Sequence, residues 1–151
     1  MVKDIGNSIK QRKFKNGLEK AYINLFYTTN HFRDLHQTVF SKRGILGQHY
    51  NVLRIARGQY PDPVSPGYIK EVMLDKGSDV TRLVDKLVLL GFVERSVNGL
   101  NKRKLDIKIT EKGLTETNLM EQEMDVIHEN RNNLTEDELE LLSGLLDKLR
   151  G

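Results

Sequence analysis

The chain has no cysteine. Without one there can be no disulfide, thiolate nucleophile, zinc–thiolate site or cysteine redox switch. Long apolar runs are missing too. Nothing approaches the roughly 18 residues that a membrane-spanning helix needs, so no membrane partner is expected. The opening residues, Met1-Val2-Lys3-Asp4-Ile5-Gly6, lack the apolar segment of a signal peptide, which predicts a cytoplasmic location. The motifs of the common enzyme classes are absent: no Walker loop, no G-x-S-x-G, no H-E-x-x-H, and no glycine-rich loop between a strand and a helix. The chain is therefore read as a non-enzyme with no cofactor. Prolines are few, and all lie at positions 61, 63 and 66. Tyr60 to Val64 is accordingly read as a linker, because each proline disfavours helix at and before itself.

What is present is 151 residues, enough for one domain with a real core. The net charge of +3 hides an uneven distribution. From Met1 to Gly44 nine Lys and Arg face three Asp and Glu; from Leu114 to Gly151 three face ten. A basic front suits a polyanion, whose released counterions favour binding.

Met1 to Lys15 reads as polar, basic and frayed at its start. Leu18, Tyr22, Leu25, Thr29, Phe32, His36 and Val39 then recur at three- and four-residue steps, predicting a long helix with one mostly apolar face. Ser41-Lys42-Arg43-Gly44 breaks it. Leu46, Tyr50, Leu53 and either Ala56 or Arg57 predict a second helix, to about Gln59. Ser65-Pro66 starts a third, since Ser caps free N–H groups and Pro fits the first helical position. Ile69, Val72 and Met73 form its stripe, and Asp75-Lys76-Gly77 ends it. Val80, Leu83, Val84 and Leu87 then have helical i, i+3, i+4, i+7 spacing, closed by Gly91. Phe92 to Arg95 and Leu105 to Ile109 read as strands, with Asn98-Gly99 suited to the positive φ angles of a tight hairpin. Leu114, Thr117, Met120, Met124 and Ile127 mark a further helix. Thr135-Glu136-Asp137-Glu138 is a capping box opening a last helix rich in leucine: Leu139, Leu141, Leu142, Leu145, Leu146 and Leu149. One short helix cannot bury both of its leucine stripes, so the first helix or a second copy of the chain must cover them.

The expected fold is mostly α with a small β-hairpin wing, a winged helix-turn-helix with N- and C-terminal dimerisation helices. The expected divisions are 1–44 for N-terminal dimerisation, 45–113 for DNA binding and 114–151 for C-terminal dimerisation. Helix, turn, helix and basic hairpin together make a rod of major-groove width beside a cationic finger.

The blocks Asp79-Val80-Thr81-Arg82-Leu83-Val84-Asp85-Lys86-Leu87, Gly91-Phe92-Val93-Glu94-Arg95, Lys102-Arg103 and Ile109-Thr110-Glu111-Lys112-Gly113 resemble the signature of MarR-type bacterial regulators in both residues and spacing. The resemblance implies a homodimeric transcription factor, usually a repressor, on a pseudo-palindromic double-stranded DNA operator, often relieved by a small-molecule effector. Many members carry an acid before the two basic residues of the wing, able to pair with the arginine ending the first strand. Here those positions are Asn101 and Arg95.

At about 100° per residue, Ser78, Arg82 and Asp85 lie opposite the apolar stripe, with Thr81 and Lys86 on its flanks. These five form the expected groove-facing set. Arg82 can donate two bonds to guanine O6 and N7, and Thr81 can touch a thymine methyl or a phosphate. Asp85 can accept from cytosine N4 or orient Arg82. On the wing, Arg103 suits a narrow minor groove, and Lys102 and Lys104 suit phosphates. Ser65 and Tyr68 open a helix whose N-terminus suits a phosphate. Tyr27, His31, Phe32, His49 and Tyr50 are the candidate lining of an effector pocket between the long helix and the reading lobe. His31 and His36 are five apart, not the four that grip a metal from one helix, so no metal site is expected. The alternative is a winged helix that binds protein through its acidic tail and leucines; a salt-sensitive, sequence-specific DNA shift separates the two.

Overall fold

The computed structural model describes residues 4–151. Seven helices and one hairpin follow in chain order: α1 (Ile5–Ser8), α2 (Gly17–Phe40), α3 (Gly47–Gly58), α4 (Pro66–Val72), α5 (Val80–Leu89), β1 (Val93–Val97), β2 (Leu105–Ile109), α6 (Glu111–Glu129) and α7 (Glu136–Arg150). This is the expected mostly α, winged helix-turn-helix architecture.

Local chemistry explains the boundaries. Asn16 caps α2 by accepting the Glu19 N–H, and a 3₁₀ turn at Ser41–Arg43 closes on Gly44 at φ +67°. Thr110 caps α6 by accepting the Gly113 N–H, and Thr135 and Glu138 form the capping box of α7. Gly91 ends α5 at φ +74°. Its N–H bonds the Val88 carbonyl, and the Phe92 N–H bonds that of Leu87, both at 2.9 Å. This is the Schellman arrangement that glycine permits.

One core runs through α3, α4, α5, the hairpin and α6. Val52, Leu53, Ile69, Met73, Leu87, Ile107 and Met120 are almost wholly enclosed. From α2 only Val39 and Phe40 are buried, and α7 buries nothing. Leu18, Tyr22 and Phe26 therefore run exposed along α2, and Leu141, Leu142 and Leu145 along α7. The apolar stripes read from the sequence are real, but most of their length lies uncovered.

Ahead of α2, Ile5 is buried, Asp4 caps α1, and the Gln11 N–H bonds the Gly6 carbonyl at 2.9 Å. The expected fraying of Met1 to Lys3 lies outside the described residues. Helix α4 stops at Met73, before Asp75-Lys76-Gly77, and Val72 of its expected stripe is 40% exposed. The linker carries a strand-like residue, since Val64 and Ile107 exchange two backbone bonds of 2.8 Å. Gly99 does not adopt a positive φ, and residues 98–104 form a longer loop instead of a tight hairpin.

Candidate nucleic-acid interface

Helix α5 is anchored on one side and bare on the other. Val80, Leu83, Val84 and Leu87 are buried, which fixes its rotation. Asp79 caps it by accepting the Arg82 N–H at 3.2 Å. Thr81, Arg82 and Asp85 face outward, as the helical wheel requires, and Lys86 is half-buried on a flank. Ser78 is different. It precedes the helix and its Oγ is enclosed, so its hydroxyl does not join the outward set.

The carboxylate of Asp85 is engaged by the Arg95 guanidinium from β1. It therefore positions Arg95, not Arg82, and ties α5 to the wing. Arg82 is left exposed with no ion pair among the described residues. The sequence offered no signal for this pairing, because it joins a helix to the following strand.

The wing is stiffened from within. Asn98 Nδ2 donates to both Asp106 carboxylate oxygens at 3.0 and 3.1 Å. Its Oδ1 accepts the N–H groups of Leu100 and Asn101 at 3.0 and 2.9 Å. Asn101 Oδ1 accepts the Arg103 N–H at 3.1 Å, so this residue braces the loop instead of reaching Arg95. The result is a fixed tip. Lys102, Arg103 and Lys104 are exposed on it, and Leu100 stands fully exposed beside them. Sequence reasoning passed over Leu100. Its only signal is an apolar residue inside a basic loop.

Ser65 acts as the α4 cap, accepting the Tyr68 N–H at 3.1 Å. The Tyr68 hydroxyl accepts from Gln59 Nε2 at 3.2 Å, which ties it to the end of α3.

Two cations of the basic front, and Arg57 beyond it, are neutralised internally. Lys42 meets Glu123 at 2.6 Å, Arg43 meets Glu116 at 2.9 Å and Glu123 at 2.7 Å, and Arg57 meets Glu121 at 2.8 Å. The partners hold Glu121 and Glu123 below the usual carboxylate range, through hydrogen bonds from Arg57 and from Lys42 and Arg43 respectively. Lys42, Arg43 and Arg57 are thus held by α6 carboxylates, whereas Arg82 on α5 and Lys102, Arg103 and Lys104 on the wing have no ion pair among the described residues.

Comparison with known proteins decides the family. Wild-type MarR from E. coli in its apo form is 30% identical, over 83% of this chain and 94% of that one, with a TM-score of 0.62. The chain belongs to the MarR family. A mutant E. coli MarR complexed with operator DNA is 28% identical, covering 97% and 99% of the two chains at a TM-score of 0.69. The MarR transcription factor of Planctomyces limnophilus is 27% identical, covering 89% and 98% at 0.68. No family model and no curated protein matches the chain. The solved MarR relatives are transcription factors, and no helix among the described residues is long and apolar enough to cross a membrane.

The five candidate pocket residues of this MarR-family chain divide into two groups. Tyr27 and His31 are exposed on α2 and Phe32 is half-buried there. His49 and Tyr50 lie inside, where Tyr50 stacks on Phe40 with ring centroids 4.9 Å apart. Burial lowers the His49 pKa, and its Nδ1 accepts the Leu46 N–H at 3.0 Å. A cleft of about 620 Å³ lies elsewhere, at the N-terminal hook, lined by Asp4, Asn7, Lys10, Arg12, Phe14 and Lys20 among others. No group of three or more metal-ligating side chains converges among the described residues.

Proposed function

We propose that the chain is a homodimeric, sequence-specific DNA-binding regulator of transcription, acting as a repressor by occupying a pseudo-palindromic operator. One observation carries the reading: a rotationally fixed helix presents Thr81 and unpaired Arg82 beside a braced wing bearing Lys102, Arg103 and Lys104. The helix fits a major groove, and the cationic tip fits the adjacent minor groove. The relative solved on operator DNA supports the assignment. The dimer rests on the uncovered apolar stripes of α2 and α7, which a second copy would bury.

Arg82→Ala tests base reading. Loss of about 1–3 kcal/mol of discrimination between operator and scrambled DNA is expected, with non-specific affinity largely kept. Unchanged operator preference would remove Arg82 from the reading set. Arg103→Ala tests the wing. Binding should weaken on every sequence, and the slope of log affinity against log salt should fall by about one. Parallel lines for the two proteins would show that the wing does not engage DNA.

A further inference from the structure

We propose that His36 and His128 form a binding site for a divalent transition-metal ion of the Cu(II) or Ni(II) class, clamping α2 to α6. The two side chains come from positions 92 residues apart, yet their Nε2 atoms lie 2.7 Å from each other. The ring planes cross at 71°. At that distance one Nε2–H donates and the other Nε2 accepts, so the pair holds a single proton between two lone pairs. A metal ion held by both Nε2 atoms displaces that proton to Nδ1 of the same ring, so both imidazoles bind as neutral ligands with their N–H on the far side.

The separation selects the metal. With bonds of about 2.0–2.1 Å, two nitrogens at a right angle sit about 2.9 Å apart, and at a tetrahedral angle about 3.3 Å. The observed 2.7 Å therefore lies about 0.2 Å short of the right-angle geometry of Cu(II) or Ni(II) and about 0.6 Å short of tetrahedral zinc, and in either case the rings must turn so that both Nε2 lone pairs converge on the ion. Aromatic packing sets the rings in place. Phe32 lies 6.1 Å from His36 and 6.3 Å edge-on from His128, and Phe40 lies 6.3 Å from His36. His128 is exposed, which gives the ion entry and leaves room for water to complete its coordination. The clamp would act on both approaches to the reading lobe, since α2 leads into α3 and α6 directly follows β2.

The test is titration of the full chain with Cu(II) alone, read by calorimetry and by electron paramagnetic resonance. The expected result is one ion per chain with hyperfine coupling to two imidazole nitrogens. His36→Gln and His128→Gln should each weaken binding by at least about tenfold, a loss that even an outer-shell partner of a metal ligand can cause. His31→Gln should leave binding unchanged, and Zn(II) should bind more weakly than Cu(II). Circular dichroism confirms that the variants fold, and the exposed position of His128 protects the test if His36→Gln does not. Absence of binding by the native chain, equal binding by the double glutamine variant, or a spectrum without imidazole nitrogen would overturn the proposal.

Discussion

Aspartate at both Leu141 and Leu145 is expected to convert the protein to a 17.4 kDa monomer and to cost about 10²-fold or more in operator affinity, the scale of avidity lost when two linked sites act separately. Both leucines are more than half exposed, on a helix that buries none of its residues within its own chain. The two carboxylates therefore leave the protomer's fold intact while placing charge in the apolar face a second copy would cover. Unchanged circular dichroism with a halved sedimenting mass is the expected pair of results. A native chain that sediments as a monomer at micromolar concentration would contradict the dimer, and so would a variant that stays dimeric.

Gly113→Ala is expected to destabilise the fold by about 3 kcal/mol or more, the upper range for overpacking a core. A Cβ there would sit 2.0 Å from the Phe92 carbonyl oxygen and 2.8 Å from the Ile109 side chain. The oxygen belongs to backbone held in place by the Thr110 N–H at 3.0 Å. The glycine is needed for close approach of α6 to the strand pair, not for an unusual φ. Urea denaturation would show a midpoint shifted well to lower concentration. A midpoint within a few tenths of a molar unit of the native one would mean that α6 can move aside cheaply.

What could be read from the sequence was local. The spacing of Val80, Leu83, Val84 and Leu87 fixed the buried side of α5, and the structure buries all four. Gly91 and Thr135 announced helix ends through chemistry that acts within a few residues. The misses share one cause: each depends on a partner far along the chain or on an unforeseen use of a side chain. Val64 pairs with Ile107 across the fold. Asp85 turns to Arg95, and Asn98 spends its amide on Asp106 and the loop backbone, so Asn-Gly did not make a tight turn here. Segment charge could not show that α6 carboxylates occupy Lys42 and Arg43 at the end of the basic front, and Arg57 beyond it. His36 and His128 gave no spacing signal because they lie on different helices.

The central claim is that α5 reads a major groove while the wing enters the neighbouring minor groove, twice per site. Footprinting of the native chain on DNA selected from genomic fragments tests it most directly, with major-groove methylation and minor-groove radical cleavage read on the same site. The account predicts two half-sites protected in the major groove, with centres about 34–36 Å or a multiple apart, each flanked by minor-groove protection that Arg103→Ala removes. Selection that returns no preferred sequence, or protection on one groove only and in a single unrepeated patch, would contradict it.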